Sequence, residues 1–191
     1  MLFRSDIAAG ENFSLFLRDD GTVFAWGAIT LADGAAPVNV SSLDIASATN
    51  VVKIGATADT MYILRNDGTL SWFGRDPDDA SKVTINALTD VVDFDTGSWH
   101  GIAIKSNGDI VGWGFSPYFT SNVLTGNLFA NTHTAVAASV GDSFGLVLRD
   151  DGTVLSYGFP ANSYKQKNVP ATLKNAFAVA AGDNRSEEHT S

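Results

Sequence analysis

Hydrophobic and polar positions alternate with a period of two through much of this chain. Phe13, Leu15 and Leu17 are set against Ser14, Phe16 and Arg18, and Phe144, Leu146 and Leu148 against Gly145, Val147 and Arg149. Alternation of this length predicts strands. The second set of each pair also carries a large apolar residue, Phe16 or Val147, which predicts strands covered on both faces. Each run leads into Asp-Gly or Asn-Gly and then into another apolar stretch. That punctuation predicts a hairpin closed by a tight primed turn, with glycine supplying positive φ.

The hairpin recurs. LRDDGTV at residues 17–23 is repeated letter for letter at residues 148–154, with LRNDGTL at 64–70 and IKSNGDI at 104–110. The turn glycines are Gly21, Gly68, Gly108 and Gly152, at steps of 47, 40 and 44 residues. Six residues after each comes a second glycine behind an aromatic: Trp26-Gly27, Phe73-Gly74, Trp113-Gly114 and Tyr157-Gly158. Eleven residues before the turn stands an opening glycine, Gly10, Gly97 or Gly141, replaced by Thr57 in the second repeat. All length variation falls between the second glycine and the next opening position, a stretch of 30, 23, 27 and 24 residues.

Two further strands complete each unit. Short apolar segments precede the opening positions, at residues 7–9, 51–54, 91–94 and 136–138. Residues 37–40, 83–86 and 168–171 supply a fourth strand in three of the repeats. Four strands per ~40–45 residues predict the blade of a β-propeller, whose stacked blades cover both strand faces. The fold class is therefore all-β: four repeats, near residues 1–48, 49–89, 90–132 and 133–174, and the start of a fifth at 175–184.

The motifs AAGENFSLFLRDDGTVFAWG (residues 8–27) and VGDSFGLVLRDDGTVLSYG (140–158) resemble the regulator of chromosome condensation repeat. The resemblance extends over all four repeats. It implies a propeller, seven-bladed in the best-known members, so that these repeats form part of an unclosed ring and the remaining blades lie elsewhere in a parent chain. That family often places His-Ser three residues after the opening glycine, and here only His100 keeps the histidine. The Gly-Gln-Leu-Gly-like second half of its signature is replaced by GAITLADG, GRDPDDAS, GFSPYFTS and GFPANSYK. The resemblance is thus to divergent, bacterial or phage-type members that serve as protein-binding modules. RSEEHTS at residues 185–191 resembles the in-frame translation of a sequencing-library adapter. It is set aside as a non-native tail, so Glu187, Glu188 and His189 carry no assigned role.

Composition narrows the function. The chain has 191 residues, 45% hydrophobic and 17% charged, which is a globular balance. Its net charge of −9 is scattered and argues against nucleic-acid binding, which needs clustered Lys and Arg. There is no cysteine, excluding disulfides and thiolate chemistry, and the compartment is left open. No apolar run approaches the ~18 residues of a membrane span.

No residue set specifies catalysis, a cofactor or a metal. GDSFG at 141–145 matches a nucleophile-elbow pattern but is followed by a strand rather than the required helix. Asp19, Asp20, Asp150 and Asp151 are turn residues without a calcium loop's terminal Glu.

Antiparallel order places the first-to-second turn and the third-to-fourth loop at one end of each blade, and the Asp-Gly hairpins at the other with the connections between blades. Variable loops on a rigid scaffold usually carry function. The candidate binding surface is therefore Trp99 and His100, then Phe115, Tyr118 and Phe119, with Tyr164, Asp76 and Asp78. The expected function is a non-catalytic module presenting loops to a protein partner. The alternatives are a glycan-directed enzyme using channel-mouth carboxylates such as Asp6, Asp93 and Asp95, and, further off, nucleotide exchange on a small GTPase.

Overall fold

The computed structural model describes residues 5–31, 35–43, 45, 48–75, 79–98, 100–114, 134–158, 165, 167–182 and 186–190. They fall into two compact units that divide between Asp90 and Val91. In the first unit, β1 (Asp6–Ala9), β2 (Phe13–Leu17), β3 (Val23–Ile29) and β4 (Val38–Asn39) form one antiparallel sheet. A second sheet holds β5 (Val51–Ala56), β6 (Thr60–Arg65) and β7 (Leu70–Gly74). The second unit holds β8 (Val91–Thr96), β9 (His100–Lys105) and β10 (Ile110–Gly114), then β11 (Ala135–Val140), β12 (Phe144–Arg149) and β13 (Val154–Gly158). It ends with the pair β14 (Ala176–Ala181) and β15 (Ser186–Thr190). These sheets are the predicted all-β propeller blades, with the first three strands in each place the sequence puts them.

The core lies between consecutive sheets. In the first unit, Phe13, Leu15, Leu17, Val23 and Ala25 of the first blade pack against Ile54, Met61, Ile63 and Phe73 of the second. In the second unit, Ile102, Ile104 and Ile110 of the third blade meet Val147, Tyr157, Ala138 and Leu155 of the fourth. Phe144, Leu146, Leu148 and Val154 then meet Ala176, Val179 and Ala181 of β14. Each fully buried Leu or Ile contributes about 1.5–3 kcal/mol, so these layers are the main source of stability.

Opening glycines stand where inner strands come closest. A Cβ on Gly97 would lie 2.1 Å from the Gly141 carbonyl oxygen, and one on Gly141 would lie 2.3 Å from that of Gly182. Inner strands also share an irregularity invisible in the sequence. A bulge falls at the same slot in β5, β8, β11 and β14, leaving Val52, Val92, Val136 and Phe177 as the extra residue.

The predicted hairpins form, but their turns differ from expectation. Gly21 N–H donates to the Arg18 carbonyl and Arg18 N–H to the Thr22 carbonyl, and only Gly21 in the loop has positive φ, at 79°. This is the three-residue turn closed by a glycine bulge rather than a two-residue primed turn. The Asp side chain explains the choice: Asp20 Oδ1 accepts from Thr22 N–H at 2.9 Å and from its hydroxyl. Asp67 with Thr69 and Asp151 with Thr153 repeat the arrangement.

The fourth strand is the second correction. Residues 83–86 lie in helix α1 (Asp79–Asn86), and residues 168–171 are irregular. Ser81, Ile85 and Leu88 are buried while Val83 is exposed, the spacing of a helix with one covered side. Only residues 37–40 give the expected strand, as the two-residue β4 followed by a 3₁₀ turn at Val40–Ser42.

Candidate interaction surface

Within each blade the ends are assigned by hydrogen bonds. Ala28 N–H donates to the Asn12 carbonyl and Arg75 N–H to the Asp59 carbonyl, so the exit of the third strand rests on the first turn. Thr60 Oγ1 donates to the Arg75 carbonyl at 3.0 Å, and the Arg75 guanidinium lies 3.7 Å from Asp59 Oδ2. At the opposite end Val51 N–H donates to the Gly21 carbonyl and Ala176 N–H to that of Gly152. The turns at Gly21 and Gly152 are therefore pressed against the start of the next inner strand. The long variable links leave from the first-turn end, as antiparallel order requires.

Of the candidate binding residues, Trp99, Phe115, Tyr118, Phe119, Tyr164, Asp76 and Asp78 lie outside the described residues. His100 is described, and it is buried at the start of β9 rather than displayed. Its ring stands edge-on to Tyr157, with centroids 5.8 Å apart and an interplanar angle of 84°. Burial lowers the His100 pKa to about 4, so the imidazole is neutral at pH 7. Burial and then the Asp95 charge push the Tyr157 phenol well above its ordinary value, which keeps it protonated.

In the third and fourth blades the aromatic before the second glycine has a packing role. Trp113 faces Gly101 across the β9–β10 pair and Tyr157 faces Gly145 across β12–β13. A Cβ on Gly101 would lie 2.4 Å from the Trp113 ring, and one on Gly145 2.3 Å from Tyr157 Oη. The ring covers a bare strand glycine, and both rings are buried. Phe73, opposite Met61, is half-buried, and Trp26, opposite Ser14, is exposed.

The carboxylates considered for catalysis are engaged in the frame. Asp95 Oδ2 accepts from Val140 N–H at 2.8 Å, and Asp93 Oδ2 from Ala138 N–H at 3.4 Å. Ser139 Oγ accepts from Ala181 N–H at 3.0 Å, extending the pattern to the next inner strand. Asp6 Oδ1 accepts from Ile7 N–H. Ser143 of GDSFG sits in the turn ahead of β12, with no helix behind it. Among the described residues no three His, Asp or Glu side chains gather as a metal site, and no helix is long and apolar enough to cross a membrane.

One surface escaped the sequence reading. Ile7, Phe16 and Phe24 form a cross-strand row on the first blade, beside Trp26, and all but the half-buried Phe16 are exposed. The Phe24 and Trp26 rings lie 6.0 Å apart, and the Arg18 guanidinium sits 5.7 Å from the Phe24 centroid. The signal was position: only the first repeat has no repeat ahead of it in this sequence.

Comparison with known proteins agrees with this geometry. The family model of the regulator of chromosome condensation (RCC1) repeat matches residues 5–28. No curated protein matches the sequence significantly. Among solved structures, yeast RCC1 (Prp20) bound to Kap60 is similar, at 18% identity and TM-score 0.72, covering 97% of this chain and 53% of that one. Human WBSCR16 is similar at 16% identity and TM-score 0.71, with coverage of 99% and 58%. The C-terminal domain of gp131 from bacteriophage phiKZ matches at 15% identity and TM-score 0.55, with coverage of 97% and 63%. The chain thus spans just over half the length of the first two. It carries an RCC1 repeat, divergent in sequence, and its blades have the fold of the RCC1 β-propeller.

Proposed function

We propose that this chain is a non-catalytic protein-interaction module, in which the propeller frame holds variable loops for a protein partner. The observation that carries the reading is the division of labour within a blade. Inner strands, hairpins and opening glycines are fixed by hydrogen bonds and close contacts, whereas the links leaving the first-turn end vary from 23 to 30 residues. Trp99, Phe115, Tyr118, Phe119 and Tyr164, with Asp76 and Asp78, which fall in or next to those turns and links in sequence, are proposed to meet the partner. Aromatic side chains there suit interface anchors.

Similar solved propellers are protein binders by description: one is bound to Kap60, and a yeast Prp20p structure is described with its binding to Gsp1p and histones. The engagement of Asp93 and Asp95 by backbone N–H groups favours binding over glycan hydrolysis. Site-specific photo-crosslinkers at Tyr118 and Tyr164, compared with ones at Asp19 and Asp150 on the hairpin tips, test the reading in cells of the source organism. One shared protein captured from both loop positions and not from the tips is the expected result. Capture only from the tips, or turnover of a fluorogenic glycoside panel, overturns it.

A further inference from the structure

The third hairpin is built differently from the other three. Its tip is Asn107-Gly108-Asp109, where the others read Asp20-Gly21-Thr22, Asp67-Gly68-Thr69 and Asp151-Gly152-Thr153. In those three the Asp Oδ1 accepts from the Thr N–H and hydroxyl. In the third, Asn107 Oδ1 accepts from Asp109 N–H at 3.0 Å, and Asn107 Nδ2 donates to Asp109 Oδ2 at 2.8 Å. An ionised carboxylate only accepts, so with Asp109 in the threonine position the tip needs a donor opposite it, and the Asn107 amide supplies it. The backbone is the same as elsewhere: Gly108 N–H donates to the Lys105 carbonyl, Lys105 N–H to the Asp109 carbonyl, and Gly108 has φ 83°. Asn107 and Asp109 are exposed, whereas Gly108 is backed by Thr134, whose Cβ lies 2.8 Å from where a Gly108 Cβ would stand. Asn107-Gly108 is also the one Asn-Gly step in the chain.

We propose that Asn107 is a site of spontaneous deamidation, and that loss of its amide loosens the third hairpin irreversibly. Asparagine is thermolabile, and a following glycine offers a backbone nitrogen with no Cβ beside it. Gly108 N gives its proton to solvent and bonds to Asn107 Cγ; the Cγ–Nδ2 bond breaks, and Nδ2 leaves as ammonia. Water then cleaves the resulting succinimide. Cleavage between Gly108 N and Cγ gives aspartate at position 107. Cleavage between Gly108 N and the main-chain carbonyl carbon gives isoaspartate, whose chain runs through Cγ and is longer by a methylene. In the closed tip the Gly108 N–H is held by the Lys105 carbonyl, so the reaction proceeds when the tip opens locally. Both products undo the turn. Aspartate sets a second carboxylate against Asp109 Oδ2 in place of a donor. Isoaspartate lengthens the segment that holds Gly108 against Thr134, at the start of the fourth blade.

The test ages the 191-residue chain in mildly alkaline buffer and follows each asparagine by peptide mass mapping, with isoaspartyl methyltransferase labelling the isoaspartate. The expected result is conversion at Asn107 severalfold faster than at Asn50 or Asn175, which are also exposed but are followed by Val51 and Ala176. A second measurement takes the product directly. Asn107→Asp is expected to lower the melting midpoint, and Asp109→Thr added to it is expected to restore the midpoint, since the tip then reads as in the other three hairpins. Conversion at Asn107 no faster than at Asn50 and Asn175 overturns the proposal. So does an Asn107→Asp protein as stable as the parent, or one that Asp109→Thr fails to rescue.

Discussion

Val140 donates its backbone N–H to the Asp95 carboxylate at 2.8 Å, tying the inner strand of one blade to a side chain of the blade before it. A charge-assisted bond to a half-buried carboxylate contributes about 2 kcal/mol. Asp95→Ala is therefore expected to lower the free energy of unfolding by that amount, and Asp95→Asn, which keeps an acceptor oxygen, by less. Equilibrium denaturation followed by circular dichroism checks the order.

Burial of His100 makes stability depend on pH. Its pKa is about 4 in the folded chain against an ordinary 6.5, so below 6.5 the unfolded state binds the proton first. The stability is present above pH 6.5 and is lost as pH falls toward 4, by about 3 kcal/mol from this group. His100→Phe, which keeps an aromatic ring against Tyr157, is expected to flatten that part of a stability-pH profile. An unchanged slope between the two proteins would contradict the burial argument.

Gly145 has no room for a methyl group beneath Tyr157. Gly145→Ala is expected to destabilise by about 2–3 kcal/mol through overpacking. The double variant Gly145→Ala, Tyr157→Leu should lose less than the sum of its parts, because the colliding atoms are those of the ring. Thermal melts of the four proteins of the cycle measure the coupling.

β14 reaches the fourth blade through Ala176, Val179 and Ala181, whereas β15, among the described residues, pairs with β14. Removal of residues 185–191 is expected to reduce hydrogen-exchange protection in β14 and to leave β11, β12 and β13 unchanged. Loss of protection in β12 would mean that the tail supports the blade.

The glycine turns, the alternating strands and the opening glycines were legible because each answers a local demand: φ at Gly21, a two-residue period at Phe13–Leu17, close approach at Gly97. The fourth strand was not, because the outermost element of a blade is held on one side only. There residues 79–86 satisfy their burial as a helix, with Ile85 inward and Val83 outward. His100 misled for a related reason. Its place beside the first turn suggested display, while its burial depends on Tyr157, 57 positions away in the chain. The exposed row of Ile7, Phe16, Phe24 and Trp26 was hidden by the repeat itself, since a shared slot predicts shared packing only where a neighbour exists.

The bonds from Asp93, Asp95 and Ser139 also bear on aggregation. Inner strands are sheet edges, and an open edge templates strand addition by another molecule. Here amide groups on those edges are already engaged by side-chain oxygens of the preceding blade. An intruding chain would have to displace a carboxylate or hydroxyl before it could pair, so the bonds that hold the blades in sequence also guard them against amyloid-like growth.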